Sequence, residues 1–122
     1  TGVAHILEHT VLAGSERYRV KDPFDAVIKS SPNTFMNAMT YTDKTVFPFA
    51  SPLKKDFDIL FDIYADSVFA PLLRKESFEQ QGIRFFDGKF DGVVFNEMTG
   101  ALSDEDAILQ ETCLEKLYEG TE

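Results

Sequence analysis

A single cysteine, Cys113, is the only thiol in this 122-residue chain. It cannot close an internal disulfide, so the sequence reads as intracellular, or at least as not stapled by disulfides. Long apolar runs are missing too. No window approaches the roughly 18 apolar residues in a row that a spanning helix needs, so no membrane span is expected. Basic residues are scarce, 12 against 21 acidic ones, for a formal net charge of −9. That balance argues against a nucleic-acid partner and leaves room for cationic peptides or metal ions. There is no internal repeat and no low-complexity tract. What is present is ordinary for a globular chain, 43% hydrophobic and 27% charged residues, which excludes disorder and collagen-like repeats. The length suits one compact domain covering residues 1–122. The chain opens at Thr1-Gly2-Val3 without an initiator methionine or an apolar signal core, and it stops at Gly120-Thr121-Glu122. It therefore reads as part of a longer polypeptide, with any targeting segment outside it. An organellar matrix and a bacterial cytoplasm both fit.

Hydrophobic spacing divides the chain into mixed α and β elements. Thr1 and Gly2 can cap a helix over residues 3–13, with Gly14 placed to end it. Asp22-Pro23 is a second start signal, for a helix to about Lys29, closed by Pro32. Phe35, Met36, Met39, Tyr41, Thr45, Val46, Phe47 and Phe49 predict two strands meeting around Thr42-Asp43-Lys44. Ser51-Pro52 opens an amphipathic helix in which Leu53, Phe57, Leu60, Phe61, Tyr64 and Val68 form the apolar stripe, ending before Pro71. A helix is expected over residues 76–84, then a short strand at Phe85-Phe86 and a turn at Asp87-Gly88. Residues 92–102 read as a helix, with a strand at Val93-Val94-Phe95 as the competing assignment. Ser103 is expected to cap a last helix whose first turn holds Asp104, Glu105 and Asp106, where the helix dipole favours acids. Its stripe Leu109, Cys113, Leu117 assigns the cysteine to packing. Asp58, Asp62, Asp66, Glu115 and Glu119 read as solvated helix faces or, less simply, as an acidic wall that would attract basic peptides.

The chemistry is concentrated in one place. The chain has two histidines, and both lie in His5-Ile6-Leu7-Glu8-His9. On a helix, positions four apart fall about 40° from one another, so both imidazoles can face one ion. Glu8 lies on the same side, while Ile6 and Leu7 are expected to turn toward the core. A catalytic zinc uses three protein ligands and an open fourth position, and it lowers the pKa of a bound water toward about 7. A neighbouring carboxylate can then take the proton. The order is the inverted form of the H-E-x-x-H helix. Shuffling this composition produces the same arrangement in roughly one chain per several hundred. The third ligand must come from elsewhere. Glu97, in Gly92-Val93-Val94-Phe95-Asn96-Glu97-Met98, follows an apolar run expected to be buried, where an unpaired carboxylate is costly. The residues alone leave it open whether Glu97 is that ligand or a helix-surface residue beside Asn96.

The stretch from Gly2 to Ser15, GVAHILEHTVLAGS, resembles the zinc helix of the pitrilysin/insulinase superfamily of metallopeptidases. Lys21-Asp22-Pro23-Phe24, the run from Asn33 to Thr40, and Asp43-Lys44-Thr45-Val46-Phe47-Pro48 are similar to its presequence protease branch, as are Gly92 to Met98 with Gly100. The resemblance runs from Gly2 to about Leu102. It implies an α+β fold, a mostly antiparallel sheet with helices packed on one face, incomplete in this chain and repeated in a second half that closes a chamber. It implies His5, His9 and Glu97 as ligands of one zinc ion, with Glu8 as general base. It also implies hydrolysis of unstructured peptides, cleaved targeting sequences among them, laid as an added strand along Asn33 to Thr40. Phe35, Asn37 and Ala38 are the expected lining residues. Thr99 stands where the family usually has Lys, and Gln80-Gln81-Gly82 where it has Gln-Glu-Gly, neither position being a ligand. The link from there to Glu97 is short, which suggests missing loop residues. An Arg and a Tyr that hold the substrate carbonyl belong to the second half, so the remaining domains of its own chain are expected partners and the piece alone is expected not to cleave. A non-catalytic partner-binding subunit of the same fold is the alternative. A closed structural metal site is disfavoured, because it would leave Glu8 without a role.

Overall fold

In the computed structural model, residues 2–20 and 23–120 are described. The capping expectations at Thr1 and Asp22 lie outside the described residues, as do Lys21, Thr121 and Glu122. The elements run α1 (Val3–Val11), α2 (Pro23–Ser30), β1 (Phe35–Met36), β2 (Met39–Thr40), β3 (Thr45–Val46), β4 (Phe49–Ala50), α3 (Lys54–Phe69), α4 (Lys75–Gln81), β5 (Arg84–Phe86), β6 (Lys89–Asp91), α5 (Val93–Ala101) and α6 (Glu105–Leu117). This is the expected α+β class, and every strand pair is antiparallel. Among the described residues the strands form three two-stranded ladders rather than one continuous sheet.

Two of those ladders are one hairpin with a gap. Phe35 pairs with Ala50 and Met36 with Phe49 in β1–β4, while Met39 pairs with Val46 and Thr40 with Thr45 in β2–β3. Both keep the same register. Between them the Asn37 amide donates to the Pro48 carbonyl at 3.0 Å, but Pro48 has no N–H to return the bond. The Asn37 carbonyl instead accepts from the Tyr64 hydroxyl of α3 at 3.3 Å. The broken ladder thus leaves Asn37 tied to the core through Tyr64. Tyr64 stacks on Phe49 at 4.9 Å between ring centroids and meets Phe24 edge-on at 4.7 Å. Burial is the main cause that pushes its hydroxyl pKa up to about 12. Phe24, Ile63 and Tyr64 form the core cluster, with Leu12, Tyr18, Val27, Met36, Phe47 and Phe49 packed against it.

The last turn of α1 leads into Gly14, whose φ of +117° suits glycine; a Cβ there would also stand 2.9 Å from the Val20 carbonyl. The chain beyond it pairs with the segment after α3 through Ser15 and Pro71. Arg17 and Tyr18 both bond the Asp62 carboxylate at 2.5 Å, and the Arg17 amide donates to Asp66. Asp62 and Asp66 are therefore anchors of this loop rather than merely solvated charges. The Tyr18 hydroxyl first, and then Arg17, hold the Asp62 carboxyl below the usual carboxylate range. Asp87-Gly88 forms the expected turn, with φ of +49° and +75° joining β5 to β6.

Several expectations about burial are corrected. In α3 the buried residues are Leu60, Ile63, Tyr64 and Ser67, whereas Leu53, Phe57, Phe61 and Val68 are exposed. Leu7 is exposed as well, although α1 packs on β2 and α4. The α6 stripe of Leu109, Cys113 and Leu117 is exposed, and α6 buries no residue because nothing among the described elements covers it. Ser103 does not cap α6: its hydroxyl donates to the Gly100 carbonyl at 2.6 Å, and Asp104 holds the cap position. Residues 93–101 are helix, which decides against a strand at Val93-Val94-Phe95.

Candidate active site

Helix α1 presents His5 and His9 one turn apart, with ring centroids 5.0 Å from each other. Glu8, between them in sequence, is only 5% exposed. One ligand atom from each of His5, Glu8 and His9 lies within 4.8 Å of the others, so this cluster can hold a metal ion. Glu97 arrives from α5 on the opposite side. Its Oε2 stands 3.4 Å from His5 Nε2 and 3.5 Å from His9 Nε2. The expectation that Glu97 is buried fails, since its side chain is 51% exposed. Only Val94, one turn earlier on the same face, is sealed in. That anchor, rather than burial of the carboxylate, turns Glu97 toward the histidines.

Two glycines fix how near α5 comes. A Cβ on Gly92, at the start of α5, would lie 1.9 Å from the carbonyl oxygen of Gly82, at the end of α4. A Cβ on Gly82 would press on Ile6 of α1 at 3.3 Å and on the Phe78 carbonyl at 2.9 Å. Asp91 completes the joint: its carboxylate accepts from Arg84 of β5 at 2.7 and 3.1 Å and from Asn96 of α5 at 3.1 Å. Arg84, and then Asn96, lower the Asp91 pKa.

Two polar contacts at this cluster were not expected from sequence. The Oε1 of Gln81, the last residue of α4, lies 3.2 Å from His9 Nδ1. An amide oxygen only accepts, so Nδ1 is the donor of this contact and Nε2 faces Glu97. The Thr40 hydroxyl of β2 donates to Glu8 Oε2 at 2.5 Å, and Thr45 lies 3.3 Å behind it across the ladder. Gln81 sits in the Gln80-Gln81-Gly82 departure and Thr40 in the hairpin, but both contacts span dozens of residues, so no local spacing signals them.

A cavity of about 430 Å³ opens over the cluster, lined by His5, Glu8, His9, Leu12, Ala13, Phe24, Asn37, Ala38, Gln81 and Glu97. A smaller one of about 190 Å³ adjoins it, mostly apolar, between Leu12, Phe24, Ile28, Met36 and Tyr64, and again touches Asn37 and Ala38. Of the three residues expected to line a peptide site, Asn37 and Ala38 border both cavities, whereas Phe35 borders neither and is 48% exposed.

Residues 1–107 match the family model described as Insulinase (Peptidase family M16). The chain belongs to this family. A mitochondrial presequence protease from Mus musculus is 44% identical over 126 residues, covering 96% of this chain and 12% of its own length. One from Debaryomyces hansenii is 50% identical over 113 residues, covering 85% of this chain and 11% of its own length. An uncharacterized protein of Borreliella burgdorferi is 53% identical over 121 residues, covering 98% of this chain and 12% of its own length. The chain thus spans roughly 12% of the length of the curated relatives it matches. Membership of the insulinase family bears out the resemblance carried by residues 2–15. The similarity to presequence proteases bears out the narrower branch.

Proposed function

We propose that this chain carries the zinc site and general base of an endopeptidase that hydrolyses unstructured peptides of the targeting-sequence kind, within a longer polypeptide. The observation that supports this most is the convergence of two imidazole Nε2 atoms on one oxygen of Glu97. Ligands about 2.0–2.2 Å from a tetrahedral zinc stand roughly 3.3–3.6 Å apart. The His5–Glu97 and His9–Glu97 separations of 3.4 and 3.5 Å fall within that range. His5, His9 and Glu97 would hold the ion, leaving a fourth position toward the cavity. Bound there, zinc would polarise a water and the scissile carbonyl. Gln81 orients His9 by accepting from its Nδ1, and Glu8 accepts the proton of the attacking water and passes it to the leaving amine.

An extended peptide would lie along residues 33–40, with Asn37 and Ala38 facing it and Phe35 at the margin. The smaller apolar cavity would receive an apolar side chain. Backbone pairing gives affinity that depends little on sequence, and such a pocket adds a mild preference. The likeness to mitochondrial presequence proteases supports the substrate class and an organellar matrix in a eukaryote; a bacterial chain would work in the cytoplasm.

Metal analysis of the purified full-length protein tests the centre directly, with one zinc per chain expected. The Glu8→Gln variant should retain that zinc and lose about two or more orders of magnitude in kcat on an unstructured peptide. A metal-free wild-type protein would leave only a partner-binding role for the fold, and wild-type speed in the variant would remove Glu8 as the base.

A further inference from the structure

Glu8 faces a choice that its position does not settle. A carboxylate oxygen of Glu8 lies within 4.8 Å of the ligand atoms of both histidines, so Glu8 is close enough to be a metal ligand itself. A general base must instead stand off the ion and keep room for water. Thr40 supplies the difference. Its hydroxyl donates to Glu8 Oε2 at 2.5 Å, within the short range of a hydrogen bond to a carboxylate. Because that hydrogen goes to an acceptor-only carboxylate, the 3.3 Å contact between Thr40 Oγ1 and Thr45 Oγ1 must be donated by Thr45. The two threonines are directly opposed in β2–β3, so the relay is braced on a two-stranded ladder rather than on a loop. Glu8 is only 5% exposed, and the Thr40 hydroxyl is a fixed partner for its Oε2. Ala38, just before β2, borders the cavity, and Thr40 of β2 holds the base.

We propose that Thr40 is a positioning residue that keeps Glu8 off the metal and available as a base. This inference rests on the zinc reading above. With the hydroxyl removed, Glu8 is free to swing toward the two imidazoles and join Glu97 as a fourth protein ligand, closing the site to water. The metal would then be held at least as well while catalysis falls, the opposite of what damage to the site would do.

The test uses the full-length protein, an unstructured fluorogenic peptide, zinc competition against a chromogenic chelator, and the absorption spectrum of the cobalt-substituted protein. Thr40→Val should lower kcat about 10- to 100-fold with KM within about twofold. Its zinc affinity should be equal or higher, and its cobalt spectrum altered. Thr40→Ser should return kcat to within about threefold of wild type. If the valine variant does not fold by circular dichroism, Thr40→Ala carries the same test without added bulk. A wild-type kcat and cobalt spectrum in the valine or alanine variant of a zinc-loaded protein overturn the inference. A fall in kcat matched by weaker zinc binding and not restored by serine also overturns it. Absence of zinc from the wild-type protein would overturn the zinc reading itself, a result distinct from either.

Discussion

Helices α1 and α5 both bring carboxylate or imidazole groups to one cavity, yet they do so by different physics. In α1 the three groups His5, Glu8 and His9 share a face because 3.6 residues per turn put them there; any α-helix over these residues would do the same. In α5 a single group, Glu97, reaches the histidines only because α5 is set down at a particular height and angle. That placement depends on backbone contact between Gly82 and Gly92, on Val94 as a buried anchor, and on the Asp91 joint. One half of the donor set is local and robust, and the other is tertiary and vulnerable.

The largest break in that comparison should come from Gly92→Ala. Its new Cβ would overlap the Gly82 carbonyl at 1.9 Å, so the junction of α4 and α5 must open and carry Glu97 away. Such overpacking costs about 1–3 kcal/mol. Zinc affinity, read by chelator competition in the full-length protein, should fall about a hundredfold, as for loss of most of one ligand. His5 and His9 would keep their mutual geometry, so weak residual binding should persist.

A smaller effect sharpens the α1 side. Gln81→Ala removes the acceptor on His9 Nδ1 without touching a ligand, and loss of such an outer partner costs about 10- to 100-fold in metal affinity. The lower end is expected here, because His5 and Glu97 keep their own positions. Wild-type affinity in this variant would show that helix geometry alone orients His9.

The smallest effect should be acid-dependent and belong to α5. Asp91 has its pKa lowered by Arg84 and then by Asn96. A depressed carboxylate contributes stability that is present above its unfolded pKa, near 4, and is lost as pH falls below it. Thermal unfolding followed from pH 5 to pH 3 should lose part of its midpoint, and Asp91→Asn should flatten that dependence. The group is exposed, so the shift will be slight.

Much of this architecture was legible in the residues. The hairpin around Thr42 to Lys44, the turn at Asp87-Gly88 and the helix opened by Pro23 all follow from local signals, as does the helix expected after Ser51-Pro52, although it starts at Lys54 with Leu53 in the cap position. So does the histidine helix. Exposure was much less legible. Leu109, Cys113 and Leu117 have helical spacing and form a helix, yet they lie open, because periodicity says which side would be buried only if a partner is there. Asp62 and Asp66 look like surface charges in α3 until the loop at Arg17 and Tyr18 folds over them. Thr40 and Gln81 contact α1 from 32 and 72 residues away, beyond the reach of any spacing rule.

By itself the amino-acid order determined that two imidazoles and a carboxylate would stand on one helical face, since helix pitch depends only on the backbone. Only the tertiary structure decided which further carboxylate meets them, which hydroxyl restrains Glu8 and which amide turns His9. Those contacts join segments far apart in the chain, and their geometry is set by how closely backbones can approach.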